Sequence, residues 1–306
     1  MKNILVIKHG ALGDLIQSTG ILKSIREHNH SHKITLLTDP KFFFFTKELP
    51  YFDDIIYDER PSFFRLDKWI KIIIKLVFNK FDIVYDLQNS DRTSIYFFFI
   101  SIFRKIIWSG NRRGGKYKYS PSNFEDVPVL QRLVDQLQMI NLKVDVMPDL
   151  SWMNQNIENY LPKKKFIIFI PGCSPKLKHK RWPPESFGEL ALNLEKKKYT
   201  IIIVGTDQER NEIEVIKKYS SLILDYSNHS LLFLASLSRH ASGVVANDTG
   251  PTFVAAGVNC PTTWILSHHT NPNLVKPQCE NLKIIKKSQI QDISVNEVEN
   301  NLALRN

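Results

Sequence analysis

The sequence predicts an α/β protein made of two doubly wound, Rossmann-like domains, and three observations carry that expectation. Short strand-like runs alternate with helix-length segments along nearly the whole 306 residues, the pattern of βαβ units and parallel sheets. Several runs are apolar throughout instead of alternating, as strands covered on both faces should be. A polar stretch with two prolines and a lysine run, residues 146–165, separates two such series. The expected domains are therefore 1–155 and 156–306, with ligands bound outside the strand carboxyl ends, in a cleft between them.

In the first half the strand candidates are "NILVIK", "KITLLT", "DIIY", "DIVYDL" and "KIIWSG"; in the second they are "FIIFIPG", "TIIIVG", "LILD", "GVVAND" and "PTTWIL". The first is followed by a tight turn bearing Gly10, Ala11 and Gly13, then by an amphipathic helix from Leu15. Residues 65–80, "RLDKWIKIIIKLVFNK", read better as a core-facing helix with snorkelling lysines than as a membrane-touching surface, which they and the run of phenylalanines at 42–45 could also form. Residues 95–103, "IYFFFISIF", are too short to span a bilayer and are bracketed by Arg92 and Arg104. Residues 109–122 are basic, glycine-rich and aromatic. They read equally as a plain solvated loop and as a mobile loop holding Arg112 and Arg113 toward an anionic acceptor.

Composition narrows the function classes. Lys and Arg number 41 against 31 Asp and Glu, a formal charge of +10, which favours anionic partners even after a general lysine bias is allowed for. No recognised nucleic-acid-binding module accompanies the charge. Cys173, Cys260 and Cys279 have neither metal-ligand spacing nor an even framework, and the first apolar run is broken by Lys8 and His9, so a cytoplasmic protein is expected.

Three strand-end motifs hold the candidate chemistry. In "GALGD", Asp14 falls at or just inside a helix N-terminus, where a capping role and a functional role are both open. In "IPGCSPKLKHKRWPPESF", a basic loop lies between a strand end and a helix start, better read as phosphate-binding than as merely solvated. In "ANDTGPTFVAAG", Thr249 and Gly250 leave backbone N–H groups at a helix start, with Pro251 suited to the first turn. Gln88 and Arg92, after a strand end, are candidates to meet an acceptor, and His229 to border a nucleotide base.

At this point the chain resembles a family. "GALGDLIQSTGILKSIR", "DIVYDLQNSDRTSIY", "PGCSPKLKHKRWPPESFGELA" and "NDTGPTFVAAGVNCPT" are similar, in order, to the signature blocks of glycosyltransferase family 9, the ADP-heptose:lipopolysaccharide heptosyltransferases. The resemblance implies a GT-B fold and an inverting transfer without metal or other cofactor. It also implies a nucleotide-sugar donor, ADP-heptose, held by the second domain, and a lipopolysaccharide-core acceptor. The basic 109–122 segment suits an anionic lipid-linked oligosaccharide acceptor, and residues 42–45 and 65–80 leave open a peripheral contact at the cytoplasmic face of the inner membrane. By position, Asp14 matches the catalytic base and Lys180 the lysine that neutralises the donor diphosphate. Ser174 matches a phosphate-contacting hydroxyl, Glu209 a ribose-binding glutamate, and Asp248, Thr249 and Gly250 the donor loop. Two departures bear on the sugar: the loop from Ser174 to Lys180 is longer than in the best-known members, so that Lys178 competes with Lys180, and Thr252-Phe253 stand where Met-His is common.

The chemistry agrees with those assignments. An attacking hydroxyl needs a base in line with it, and a leaving diphosphate needs positive charge. The chain has no Asp-x-Asp motif for a metal, so Lys180, Arg181 and the amides at Thr249 and Gly250 would stand in its place. A dinucleotide oxidoreductase is disfavoured because "KHGALGD" lacks the full G-x-G-x-x-G fingerprint. A transferase using another nucleotide sugar, or an idle sugar-nucleotide binder, remains as the alternative.

Overall fold

Structure is taken from a computed structural model that describes residues 1–305, the side chains of residues 175, 176 and 178 excepted. The chain divides into two compact units, Met1–Met147 and Pro148 onward. The division falls earlier than residue 155 because the start of the linker belongs to the second unit. Leu150, Met153 and Ile157 are buried there, and Arg239 donates to the carbonyls of Leu150 (2.7 Å) and Met153 (2.6 Å).

The first unit runs β1 (Asn3–Ile7), α1 (Leu12–Gln17), α2 (Thr19–His28), β2 (Lys33–Thr38), α3 (Phe43–Thr46), β3 (Asp54–Tyr57), α4 (Leu66–Phe78), β4 (Ile83–Asp86), α5 (Asp91–Phe103), β5 (Ile107–Gly110), β6 (Tyr117–Lys118) and α6 (Val129–Gln138). Its parallel sheet has the order β3-β2-β1-β4-β5-β6. The second unit runs β7 (Phe166–Ile170), α7 (Pro184–Lys196), β8 (Thr200–Ile203), α8 (Arg210–Lys217), β9 (Leu224–Asp225), α9 (Leu231–His240), β10 (Gly243–Asn247), α10 (Gly250–Gly257), β11 (Thr262–Leu266), β12 (Leu282–Lys286) and α11 (Val295–Asn300). Its order, β12-β11-β10-β7-β8-β9, is the same doubly wound arrangement. In each sheet the winding reverses beside the first strand: between β1 and β4, and between β7 and β10. Such reversal points open crevices at the strand carboxyl ends, and the candidate motifs follow those four strands.

The apolar runs do what their composition requires. All five residues of β7, β10 and β11 are buried, and Ile167, Phe169, Ile201 and Val245 pack with Phe187 and Leu190 of α7. In the first unit Leu5, Ile7 and Val84 pack under Trp69 and Ile72 of α4 and Tyr96 of α5.

Three expectations change. Residues 109–122 include β6, whose Tyr117 pairs with Ser109 of β5, so the segment completes the sheet instead of forming a free loop. The strand expected at "LILD" is reduced to two residues, and β12 adds a strand outside the ten candidates. Residues 65–80 are only half core-facing: α4 buries Trp69, Ile72 and Leu76, while Leu66, Ile70, Ile74 and Phe78 are exposed. At 100° per residue the two sets lie on different sides of the helix, and one sheet can cover only one of them.

Candidate functional site

In the second unit the ends of β7, β8 and β10 border an open cavity. One wall is apolar and aromatic: Tyr226, Leu231, Phe233 and Leu234, with the His229 ring stacked 4.0 Å from that of Phe233 at an interplanar angle of 17°. The opposite wall is polar, formed by Gly172 and Ser174 after β7, Thr206 and Glu209 after β8, and Thr249 and Pro251 at the start of α10. An aromatic slot beside hydroxyls, a carboxylate and a helix N-terminus suits a flat heterocycle carrying a sugar and a phosphate.

Glu209 is fixed by its own turn. Its Oε2 accepts from the Thr206 amide (3.0 Å) and hydroxyl (2.7 Å), and the Thr206 side chain caps the short 3-10 turn in return. Gly172 brings the β7 turn against this carboxylate; a Cβ there would stand 2.7 Å from Glu209 Cγ, so only glycine permits the approach.

The two basic residues of the loop before α7 separate. Lys180 Nζ donates to Asp248 Oδ2 (2.9 Å) and to Thr270 Oγ1 (2.9 Å), and Thr270 Oγ1 donates to the same Asp248 oxygen (2.6 Å). Asp248 directly precedes Thr249, so the Lys180 ammonium is held beside the α10 N-terminus. Arg181, expected to face the diphosphate as well, is turned inward with its side chain 6% exposed. Its guanidinium donates to the Cys173 carbonyl (2.7 Å), to Glu209 (3.2 Å) and to Glu212. A buried guanidinium must be paired, and these acceptors pair it, so Arg181 steadies Glu209, while Lys180 is the less enclosed of the two cations. The Lys178 side chain, its competitor, lies outside the described residues. Asn247 joins the two halves of the crevice: its Nδ2 donates to the Pro171 carbonyl (2.7 Å), and its Oδ1 accepts from the Trp182 amide (3.1 Å).

The first unit presents Asp14 at the third position of α1, half-buried, its Oδ2 accepting the Ala11 amide at 3.0 Å. Gly10 makes the turn possible. Its φ is +129°, and a Cβ would lie 2.3 Å from the Phe42 ring. Behind the turn Lys8 is 4% exposed; burial lowers its pKa, and the nearby Asp14 and Asp86 carboxylates raise it again in part. Asp86, at the end of β4, is wholly buried, and burial pushes its carboxyl up. Its Oδ1 accepts from the amides of Gln88 (3.1 Å) and Asn89 (2.9 Å).

The four acceptor-side candidates differ in freedom. Gln88 uses its Oε1 to accept the His9 amide (2.9 Å), next to the Asp14 turn. Arg112 donates to the Ser90 carbonyl (2.7 Å), and Arg113 is exposed. Arg92 is held inside the unit: it donates to the Pro61 carbonyl (2.5 Å) and to Tyr96 (3.3 Å), lies 3.7 Å from Asp58 and stacks 4.3 Å from the Trp69 ring. Asp58 in turn accepts from Tyr96 (2.5 Å) and contacts His9 Nε2 at 3.1 Å.

Sequence reasoning missed Thr270, Thr206, Tyr226 and Phe233. Thr206 was legible, since Thr206-x-x-Glu209 has the spacing of a capping box. Thr270 follows a strand neighbouring the reversal point, but nothing local distinguishes it from other loop hydroxyls. No group of three or more His, Cys, Asp or Glu that could hold a metal occurs among the described residues.

Comparison with known proteins accords with this arrangement. Over 98% of its length the chain is similar to a glycosyl transferase family 9 structure from Veillonella parvula, at 18% identity and a TM-score of 0.78, covering 95% of that protein. ADP-heptose LPS heptosyltransferase II of E. coli is similar at 20% identity and a TM-score of 0.73, with 98% and 97% of the two chains covered. E. coli heptosyltransferase WaaC, solved with ADP, gives 15% identity and a TM-score of 0.76, with 97% and 98% covered. Comparison with curated proteins gives no match. The profile of glycosyltransferase family 9 (heptosyltransferase) matches residues 69–302, most of the chain. With two Rossmann-like units in the GT-B manner and that match, the chain belongs to glycosyltransferase family 9 and is a glycosyltransferase.

Proposed function

We propose that the protein is an inverting transferase that moves heptose from ADP-heptose to a hydroxyl of a lipopolysaccharide core at the cytoplasmic face of the membrane. The observation that supports this most is the second-unit cavity, with an aromatic slot at one end and the Glu209 carboxylate and the α10 N-terminus at the other. The adenine lies against His229 and Tyr226, the ribose hydroxyls donate to Glu209, and the diphosphate meets Ser174, the amides of Thr249 and Gly250, and the Lys180 ammonium.

In the reaction the acceptor oxygen forms a bond to the anomeric carbon as the bond from that carbon to the β-phosphate oxygen breaks. The electron pair of the broken bond stays with ADP. Asp14 takes the acceptor proton, its carboxylate already oriented by the Ala11 amide. Lys180, positioned by Asp248 and Thr270, stabilises the charge that grows on the departing diphosphate, so no metal is required. Gln88, Arg112 and Arg113 belong to the acceptor side.

A thermal-shift comparison of ADP, UDP and GDP tests the donor reading. A ligand at a hundredfold its dissociation constant adds about 2.7 kcal/mol, so ADP alone should raise the melting temperature clearly. A response to UDP and none to ADP would move the assignment to another nucleotide sugar.

A further inference from the structure

Two helices of the first unit have apolar side chains that are exposed among the described residues. By the right-handed rule, α4 (from β3 to β4) and α5 (from β4 to β5) cross the same side of the sheet, and they pack against each other. On α4 the row Leu66, Ile70, Ile74 and Phe78 points away from the core, and Phe64 just before it is 95% exposed. On α5, Phe98, Ile102 and Phe103 do the same. Together these side chains expose on the order of 800 Å² of apolar surface, above the roughly 300–600 Å² of the largest patch on an ordinary monomer.

Charge identifies the occupant. Lys71 and Lys75 sit one residue on from Ile70 and Ile74, along the flank of the exposed row, and line an open pocket with Lys68, Asp58 and Glu59. Lys68 is paired with Glu59, and Asp58 with His9 and Tyr96, whereas Lys71 and Lys75 have no carboxylate partner among the described residues. Lys105 adds a further exposed cation after α5. An apolar ridge flanked by unpaired cations matches acyl chains beneath phosphate headgroups. A second copy would fit badly, because a twofold contact through this face would bring Lys71 and Lys75 of both copies into one interface, where the neighbouring Glu59 and Asp67 are already paired with Lys68 and Arg65. No helix among the described residues is long and apolar enough to cross a membrane, so the contact is with the surface.

We propose that the outer faces of α4 and α5 dock on a bilayer of anionic phospholipid, with Lys71 and Lys75 receiving headgroup phosphates. The purpose of the contact, access to a lipid-linked acceptor, rests on the transferase reading; the contact itself does not.

Co-sedimentation of the full chain with phosphatidylglycerol or phosphatidylcholine vesicles, without donor or acceptor, tests it. The protein should bind the anionic vesicles at least about tenfold more tightly. Lys71→Glu with Lys75→Glu should weaken that binding by about 30-fold or more, and Ile70→Ser with Phe78→Ser should weaken it at high salt as well. The charge-matched control Lys163→Glu with Lys164→Glu, exposed in the second unit, should stay within about twofold of the unaltered protein. Equal loss in the control, or no loss in either α4 variant, would overturn the proposal. So would dimerisation of the unaltered protein that Ile70→Ser with Phe78→Ser abolishes while vesicle binding persists. Should the apolar pair fail to fold, the lysine pair decides alone. The ADP thermal shift is read on the same samples: its absence in the unaltered protein defeats the transferase reading without touching the vesicle result.

Discussion

Asp14→Asn separates a cap from a base. The Asp14 carboxylate accepts the Ala11 amide at 3.0 Å, and an asparagine oxygen in the same rotamer can accept it too. An amide oxygen accepts as a carboxylate oxygen does, so the hydrogen bond survives. The charge is lost, which removes a dipole interaction of about 0.3–1 kcal/mol and leaves buried Lys8 with one fewer carboxylate nearby. The melting temperature should therefore fall by only a few degrees. Donor affinity should not change, because every donor contact proposed above comes from the second unit. Turnover is the discriminating quantity. An amide cannot take the acceptor proton, and losing a positioned base costs about 10²–10⁴ in rate, or roughly 3–5 kcal/mol of barrier. The assay is transfer from ADP-heptose, run beside ADP binding and a melting curve on the same preparation. A rate within a fewfold of the unaltered protein would return Asp14 to a purely capping role and refute the mechanism.

Lys180→Ala removes a charge-assisted contact of about 1.5–3 kcal/mol, so ADP should bind roughly 10- to 150-fold more weakly in calorimetry; loss of binding from Lys178→Ala alone would transfer the role to that residue. Transfer should persist in excess chelator, and complete loss restored by added metal would defeat the electrostatic scheme. Hydrogen bonds from His9 and Tyr96 outweigh burial and hold the Asp58 carboxyl below the usual carboxylate range. A depressed carboxyl stabilises the fold above its unfolded pKa of about 3.9, and that contribution is lost as pH falls through the lower folded value. Asp58→Asn should accordingly lower stability at pH 7 by about 3 kcal/mol, with the gap to the unaltered protein narrowing below about pH 4; a constant gap would show that the ionised carboxylate is not what matters.

The sequence by itself determined the architecture and the strand-end turns on which the candidate residues stand. Both follow from local signals: apolar runs such as "FIIFI" form strands buried on both faces, and glycine or proline marks the turns at the strand ends. The positions of Asp14 and Thr249 were legible because a turn and a helix start are written within a few residues, whereas Glu209 was singled out only by the family resemblance. What only the tertiary structure decided depends on partners distant in sequence. Lys180 and Arg181 are adjacent and chemically alike, yet one meets Asp248 and Thr270 and the other is buried against Glu209 and Glu212. Arg92 is likewise drawn inward by Trp69 and Pro61, residues its own segment does not contain. The faces of α4 belong with these: the periodicity reveals that Ile70 and Ile72 point apart, but only the position of the sheet determines which is buried. A side chain's freedom to act is set by its remaining acceptors and its remaining exposure, and those are properties of packing.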